Sequence, residues 1–548
     1  MGETGHTVGS AATGDEPGLD PGSLALLREA LGEDLVDARE VTREAYARDL
    51  SALGHLAFRR PGGLRLPDAV ARLRDVAGVQ AVLRLASARG FAVVPWGAGS
   101  GVCGGTLAVR GGVALDLKGL DRLLEVDRTS LLVRVQAGMN GQLFEEALQR
   151  EGLTAAHHPS SITCSTVGGW VAARGAGQLS TRYGKVEDMV VSLEVVLPDG
   201  TLVTTPAAPR AATGPDWNQL FTGSEGLLGV IVAATLRVHR LPPLRLFRSF
   251  EFPDLERALD AVREGLQRGA RPAAVRLYDP LDTLLVARSG DPRPAPPPPD
   301  AEAPDDAPLA PWWPLSRVSP GGLLRALAAR VPDVRHGAER ALLARPELLN
   351  RLTARIPGVG CLLVLTFEGH DQDLVGAEEA VFRRACEARG GEDRGPVPAE
   401  TWWNNRLAVS FKQSGVYAMG GFVDTMEVAT SWSRLLELHE RVRAALSPHA
   451  LVMAHFSHAY ADGCSIYFTF AALQGDPDDA RARHAAAWAD GLAAVVACGA
   501  AVSHHHGVGL LKGEALRASH GPLHELLARV KGTLDPRGIM NPGKLGLP

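Results

Sequence analysis

Cysteine, clustered charge and long apolar runs are all scarce in this sequence, and each scarcity excludes a class of protein. The six cysteines among 548 residues, Cys103, Cys164, Cys361, Cys386, Cys464 and Cys498, lie far apart. They have neither the density of a disulfide scaffold nor the C-x-x-C spacing of a zinc or redox site, so a reducing, cytoplasmic setting is expected. The 57 basic residues are spread along a chain of formal net charge −5, which is not the footprint of a nucleic-acid binder. No window approaches the roughly 20 apolar residues of a membrane-spanning helix, which leaves peripheral contact as the expected form of any membrane association. Residues 1–22 are small, polar and acidic, lack the basic start and apolar stretch of a secretory signal, and read as a disordered tail.

What is present is ample apolar material, 45%, in a chain too long for one hydrophobic core, so two or three domains are expected. From Ser23, which can cap a helix, Leu24, Leu27 and Leu31 repeat with helical spacing. Val79, Val82, Leu83 and Ala86 predict an amphipathic helix that Gly90 ends, followed by a buried strand over 91–94. Further strands are expected over 113–117 and 131–135, and a helix over 142–150. The run 190–197, then Pro198-Asp199-Gly200 and 201–204, predicts a hairpin, because Asp-Gly accepts the positive φ of a tight turn. To about residue 240 the pattern is mixed α+β. Beyond it come a helix (255–267), a strand (274–278) and a Pro/Ala/Asp-rich insert over 292–311 that cannot build a core and reads as a flexible loop. The leucines that follow, Leu323 to Leu352, alternate with arginines. They suit ordinary helices of a second domain, or a basic amphipathic surface resting on a bilayer.

Three small-residue segments carry the chemistry. Pro95, Trp96, Gly97, Ala98, Gly99, Ser100 and Gly101 follow a buried strand, and their glycines let backbone N–H groups approach a diphosphate. No helix starts there, so a Rossmann fingerprint is excluded. Alone, this run also admits the reading of a plain glycine-rich turn. The second segment, from His158, offers hydroxyls at Ser160, Ser161, Thr163, Ser165 and Thr166 before Gly168-Gly169. The third runs from Gly223 through Glu225, Gly226, Leu227, Leu228, Gly229, Val230 and Ile231.

Three such loops in this order resemble the FAD-binding domain of the vanillyl-alcohol oxidase/p-cresol methylhydroxylase superfamily. The resemblance implies FAD, with Ile162, Cys164, Ala173, Arg174, Gly175 and Ala176 joining the three loops around it. It implies an α+β chain with a two-subdomain FAD-binding fold of the p-cresol methylhydroxylase type and an α/β cap domain. The FAD domain would comprise 23–242, the cap 243–499, and a C-terminal segment, 500–548, would return to the FAD domain. Some members carry a histidine in the first loop that is covalently linked to the flavin. Ser100 stands near that place here, so non-covalent FAD is expected.

Within the superfamily, Ser165-Thr-Val-Gly-Gly-Trp170, Tyr183-Gly184, Glu187-Asp188, Thr213-Gly-Pro-Asp216, Ala274-Val-Arg-Leu277 and Ser503-His-His-His-Gly-Val-Gly509 resemble the alkyldihydroxyacetone-phosphate synthases. That resemblance implies exchange of an acyl group for a fatty alcohol in ether-lipid synthesis, with the flavin not a net redox agent. Tyr467 matches the proton-transfer tyrosine, and His504, His505 and His506 would relay protons or bind phosphate. Arg276 matches a family arginine. A second arginine is absent from the stretch holding Lys412, a point charge without the bidentate fork, while Arg406 upstream suits another acidic substrate. The alternative is an oxidase or dehydrogenase of a 2-hydroxyacid or other alcohol. Its metal site needs H-x-x-x-x-x-x-H and Glu-His-Gly motifs; after His458 the second histidine is missing, and His505 replaces the carboxylate, so no metal is expected. A small-molecule or lipid substrate is implied, and a homodimer stays open.

Overall fold

The computed structural model describes residues 18–58, 65–287, 346–353, 359–407, 416–417, 421–473 and 477–548. The 292–311 insert, Lys412 and the leucines between 323 and 343 lie outside them. The chain divides into two compact units, 1–243 with 427–442 and 488–548, and 244–426 with 443–487.

In the first unit the opening helix, Pro21–Leu31, begins three residues before the expected start. Its cap is Asp20, whose side chain accepts from the Ser23 N–H; Ser23 itself is buried inside the first turn and bonds Asp20 through its hydroxyl. The helix Val76–Arg89 is capped by Asp75 and stopped by left-handed Gly90, and it buries Val79, Val82, Leu83 and Ala86. These side chains join Leu27, Val93, Val113 and Leu115 in one core, each contributing about 1.5–3 kcal/mol on burial when Val- or Leu-sized. That helix connects Ala69–Arg72 to Val93–Trp96, and both strands flank Val113–Asp116 in parallel. Val93–Trp96 therefore delivers the first glycine loop at the carboxyl end of a parallel strand, where α/β sheets bind ligands. A second, antiparallel sheet orders Leu123–Asp127, Leu132–Gln136, Val230–Arg237, Val190–Val196 and Leu202–Thr204. The Asp-Gly hairpin forms with Gly200 at φ 83°.

The second unit is organised by a sheet in the order Glu392–Asp393, Leu244–Phe252, Cys361–Gly369, Ala274–Tyr278, Leu451–Ala459 and Gly463–Ala472. Its helices Leu255–Gln267 and Gln372–Glu387 pack so closely that a Cβ on Gly265 would lie 2.6 Å from the ring of Phe382. Phe382 also meets Phe367 edge-on at 6.0 Å. Among the described residues no helix is long and apolar enough to cross a membrane.

Phe382 is fully buried whereas Leu374 on the same helix is 68% exposed. Phe382→Ala is expected to destabilise the second unit by about 3–5 kcal/mol, and Leu374→Ala by less than about 0.5 kcal/mol. Thermal melts followed by circular dichroism check this; equal shifts for the two variants would contradict the packing described.

Candidate active site

The three small-residue loops meet. A Cβ on Gly97 would lie 2.3 Å from Thr166 Oγ1, and one on Gly226 would lie 2.9 Å from the Pro95 ring. The first loop thus touches both others, at positions where any side chain would push them apart. Gly99, at φ 66°, sits against the indole of Trp96. In the second segment Ser160 Oγ accepts from Gln178 Nε2 at 3.0 Å and Ser165 Oγ from Trp170 Nε1 at 2.8 Å. Thr166 caps the helix Val167–Ala172. Each hydroxyl accepts in these contacts and keeps its own proton to donate to an anion. Ser161, Thr163 and Cys164 frame the turn Ile162–Cys164.

The third loop is fastened by Glu225, a left-handed residue (φ 49°) whose carboxylate accepts from the N–H groups of Val508 and Gly509 at 2.6 and 2.8 Å. Its carbonyl and that of Gly105 both accept from Asn541 Nδ2, at 2.7 and 3.0 Å. Residues near the C-terminus therefore tie the segment just after the first loop to the third. The Arg174 guanidinium is directed to Gln219 and the Thr222 carbonyl, at 2.8 and 3.3 Å. Gly175 N–H donates to the Trp170 carbonyl, and Ala176 is buried. Ile162, Leu227, Leu228, Val230 and Ile231 are buried as well, which leaves their backbones as the groups suited to a ligand. Glycine cradles that a Cβ would fill, with hydroxyl donors alongside, fit the diphosphate of FAD.

His504, His505 and His506 surround a buried charge that the sequence reading missed. Glu427, wholly buried, accepts from the Ser503 hydroxyl at 2.6 Å, from the N–H groups of His504, His505 and His506, and from Lys512 Nζ at 2.7 Å. Burial opposes its ionisation, but the Lys512 charge and these hydrogen bonds outweigh it and hold the carboxyl well below its ordinary range. The three backbone N–H bonds turn the histidine run around one carboxylate. Burial, then the Lys185 ammonium, depresses the His504 pKa to about 3, so its imidazole is neutral at physiological pH. Its Nδ1 lies 3.0 Å from that of His505. One atom each of Glu427, His504 and His505 lies within 4.8 Å of the others, a spacing that suits a cation; Lys512 already brings a positive charge to that carboxylate.

In the second unit the strand register gathers Arg276 and Tyr467. Tyr278 pairs with His455, His455 with Tyr467, and Arg276 with Ser457, and residues directly opposite share a sheet face. Arg276 Nη2 lies 2.8 Å from His455 Nε2, and the His455 ring stacks on Tyr467 with centroids 4.7 Å apart. Arg276 Nε is buried without a hydrogen-bond partner among the described residues. Arg406 is held separately, 3.8 Å above the Trp403 ring, with Arg245 4.0 Å from the same ring. Burial, then Arg245, lowers its pKa to about 10. His455 was legible only as a lone titratable residue in the apolar run Leu451 to Phe456, and Glu427 only as a lone acid between Met426 and Val428.

Comparison with known proteins places these arrangements. Residues 67–206 match the FAD binding domain, and residues 241–545 match the C-terminal domain of FAD linked oxidases. An alkyldihydroxyacetonephosphate synthase of Caenorhabditis elegans is 26% identical over 87% of this chain and 75% of its own. A probable mitochondrial D-lactate dehydrogenase of Danio rerio is 25% identical over 95% of this chain and 91% of its own. A crystal structure of p-cresol methylhydroxylase with substrate bound superposes with a TM-score of 0.72 at 17% identity, covering 97% of this chain and 98% of that one. The fold is thus α+β of the p-cresol methylhydroxylase type, and the chain belongs to the FAD-linked oxidase family of FAD-dependent enzymes.

Proposed function

We propose that the chain is a transferase of the alkyldihydroxyacetone-phosphate synthase kind, replacing the acyl group of acyl-dihydroxyacetone phosphate with a fatty alcohol. The observation that carries this reading is the grouping of a cation, Arg276, and a phenol, Tyr467, around one buried imidazole. Arg276, with a buried N–H unspent, binds the phosphate. Tyr467 takes and returns the proton at C1 of the substrate. Neutral His504, beside His505 and with its backbone N–H on Glu427, is the second proton-handling group of this reading. FAD, when bound, supplies an electrophilic ring at which carbon can be held without net electron transfer. Ser100 in the first loop supports its dissociable binding. Lys412 and Arg406 are further candidates for the substrate's acidic group.

A second reading, an FAD-linked dehydrogenase of a 2-hydroxyacid or other alcohol, is favoured by the cation-sized spacing of Glu427, His504 and His505. Lys512 at 2.7 Å from Glu427 weighs against it, because a divalent ion would have to displace or tolerate that ammonium.

Anaerobic incubation separates the two: exchange of labelled fatty alcohol without an external acceptor is expected, and bleaching of the flavin by a 2-hydroxyacid would favour the dehydrogenase. Tyr467→Phe should lower exchange at least about 100-fold with flavin content unchanged; undiminished exchange would remove Tyr467 from its role. Gly97→Ala should weaken FAD binding by about tenfold or more, the clash with Thr166 costing on the order of 1–3 kcal/mol, as read by flavin fluorescence on titration. Acid precipitation should leave the yellow colour in the supernatant, and a yellow pellet would establish a covalent link.

A further inference from the structure

His455 belongs to none of the motifs that carry the family resemblance, yet it touches both residues just assigned to phosphate and proton. A guanidinium donates hydrogen bonds and accepts none, so the 2.8 Å contact from Arg276 Nη2 requires a bare lone pair on His455 Nε2. The proton of the neutral ring therefore sits on Nδ1, which faces Asp282 Oδ2 at 3.4 Å. The groups around this imidazole are Arg276 and Tyr278 from one strand, Tyr467 from another, and Asp282 from the helix Pro280–Ala287. Burial first, and Arg276 second, hold His455 well below its ordinary pKa, while burial raises Asp282 to about 7 against the pull of Arg276. Protonating Nε2 would set two donors against each other and release the guanidinium.

We propose that His455 is a positioning residue for the reaction. Its Nε2 lone pair aims Arg276 and its ring face fixes Tyr467, so a single neutral imidazole sets the places of the anion-binding cation and the phenol. The arginine is held by an acceptor that carries no charge, which leaves its positive charge available to a ligand; a carboxylate in the same place would neutralise it. The buried Nε of Arg276 is the free side of that fork.

This inference rests on the reading that Arg276 binds the substrate phosphate, and two substitutions divide the functions of the imidazole. His455→Phe keeps a ring face for Tyr467 and removes the acceptor; His455→Gln keeps an acceptor for Arg276 and removes the ring. With the FAD-loaded enzyme and acyl-dihydroxyacetone phosphate, His455→Phe is expected to raise KM about tenfold or more, the scale of a lost charge-assisted hydrogen bond, with a smaller change in kcat. His455→Gln is expected to lower kcat with KM nearly kept. Arg276→Gln serves as reference. A normal KM in Arg276→Gln would overturn the substrate reading and this inference together. A raised KM in Arg276→Gln with a normal KM in His455→Phe would overturn this inference alone, as would a uniform loss of both constants in both His455 variants. Nitrogen-15 spectra of the histidine-labelled wild-type holoenzyme give a readout independent of how the variants fold: a buried ring with bare Nε2 and protonated Nδ1 is expected, unchanged on mild acidification. Finding no such ring would contradict the proposal.

Discussion

The contact that everything else depends on is the approach of Gly97 to Thr166 and of Gly226 to Pro95. Neither pair could stand so close with a side chain at the glycine, and together they bring three segments, separated by some sixty residues each in the sequence, to one place. The rest of the first unit serves that closeness. A parallel strand ending at Trp96 launches the first loop. The Thr166 side chain both caps its own helix and meets Gly97. Glu225 and Asn541 then bind the third loop to segments near the C-terminus, so that amides and hydroxyls from residues far apart in the chain come to one place.

One buried ion pair orders the histidine run. Glu427 and Lys512 are both inaccessible to solvent, an arrangement that is costly to form but more costly to break, since removing either partner strands the other at about 3–5 kcal/mol. What it accomplishes is orientation: three successive N–H groups of the histidine run converge on one carboxylate, fixing the backbone that carries the rings. In the second unit Asp279 plays a comparable part, accepting from Arg443 at 3.0 Å and from the Ala454 N–H at 2.8 Å. That N–H adjoins His455, so the strand that positions Arg276 and Tyr467 is itself anchored at a buried ion pair.

Local signals in the sequence are legible where one segment decides its own structure. The helix 255–267 and the strand 274–278 occur at the expected residues, the helix because its apolar spacing and its Asp254 cap are local, the strand because it is a short, mostly buried apolar run. The hairpin around Gly200 likewise follows from two residues. The first helix shows the limit: Ser23 and Asp20 are both good caps, and Pro21 at the first turn settles the choice for Asp20. The FAD-binding nature of the chain was legible through the family resemblance, because the glycine and hydroxyl motifs that carry it are local. Glu427 and His455 were not, since each is a polar residue between apolar neighbours in its strand, and its meaning comes from cross-strand register or from a loop nearly eighty residues away. Their neighbours in sequence give no hint of Lys512 or Arg276.

Hydrogen–deuterium exchange with mass spectrometry, comparing the protein stripped of flavin with the same protein after FAD is added, tests the convergence of the loops most directly. Protection appearing together in the peptides spanning 95–101, 160–169 and 223–231, at one stoichiometric equivalent of FAD, is the result this account predicts. Protection of only one of these segments, with the other two exchanging as before, would contradict it.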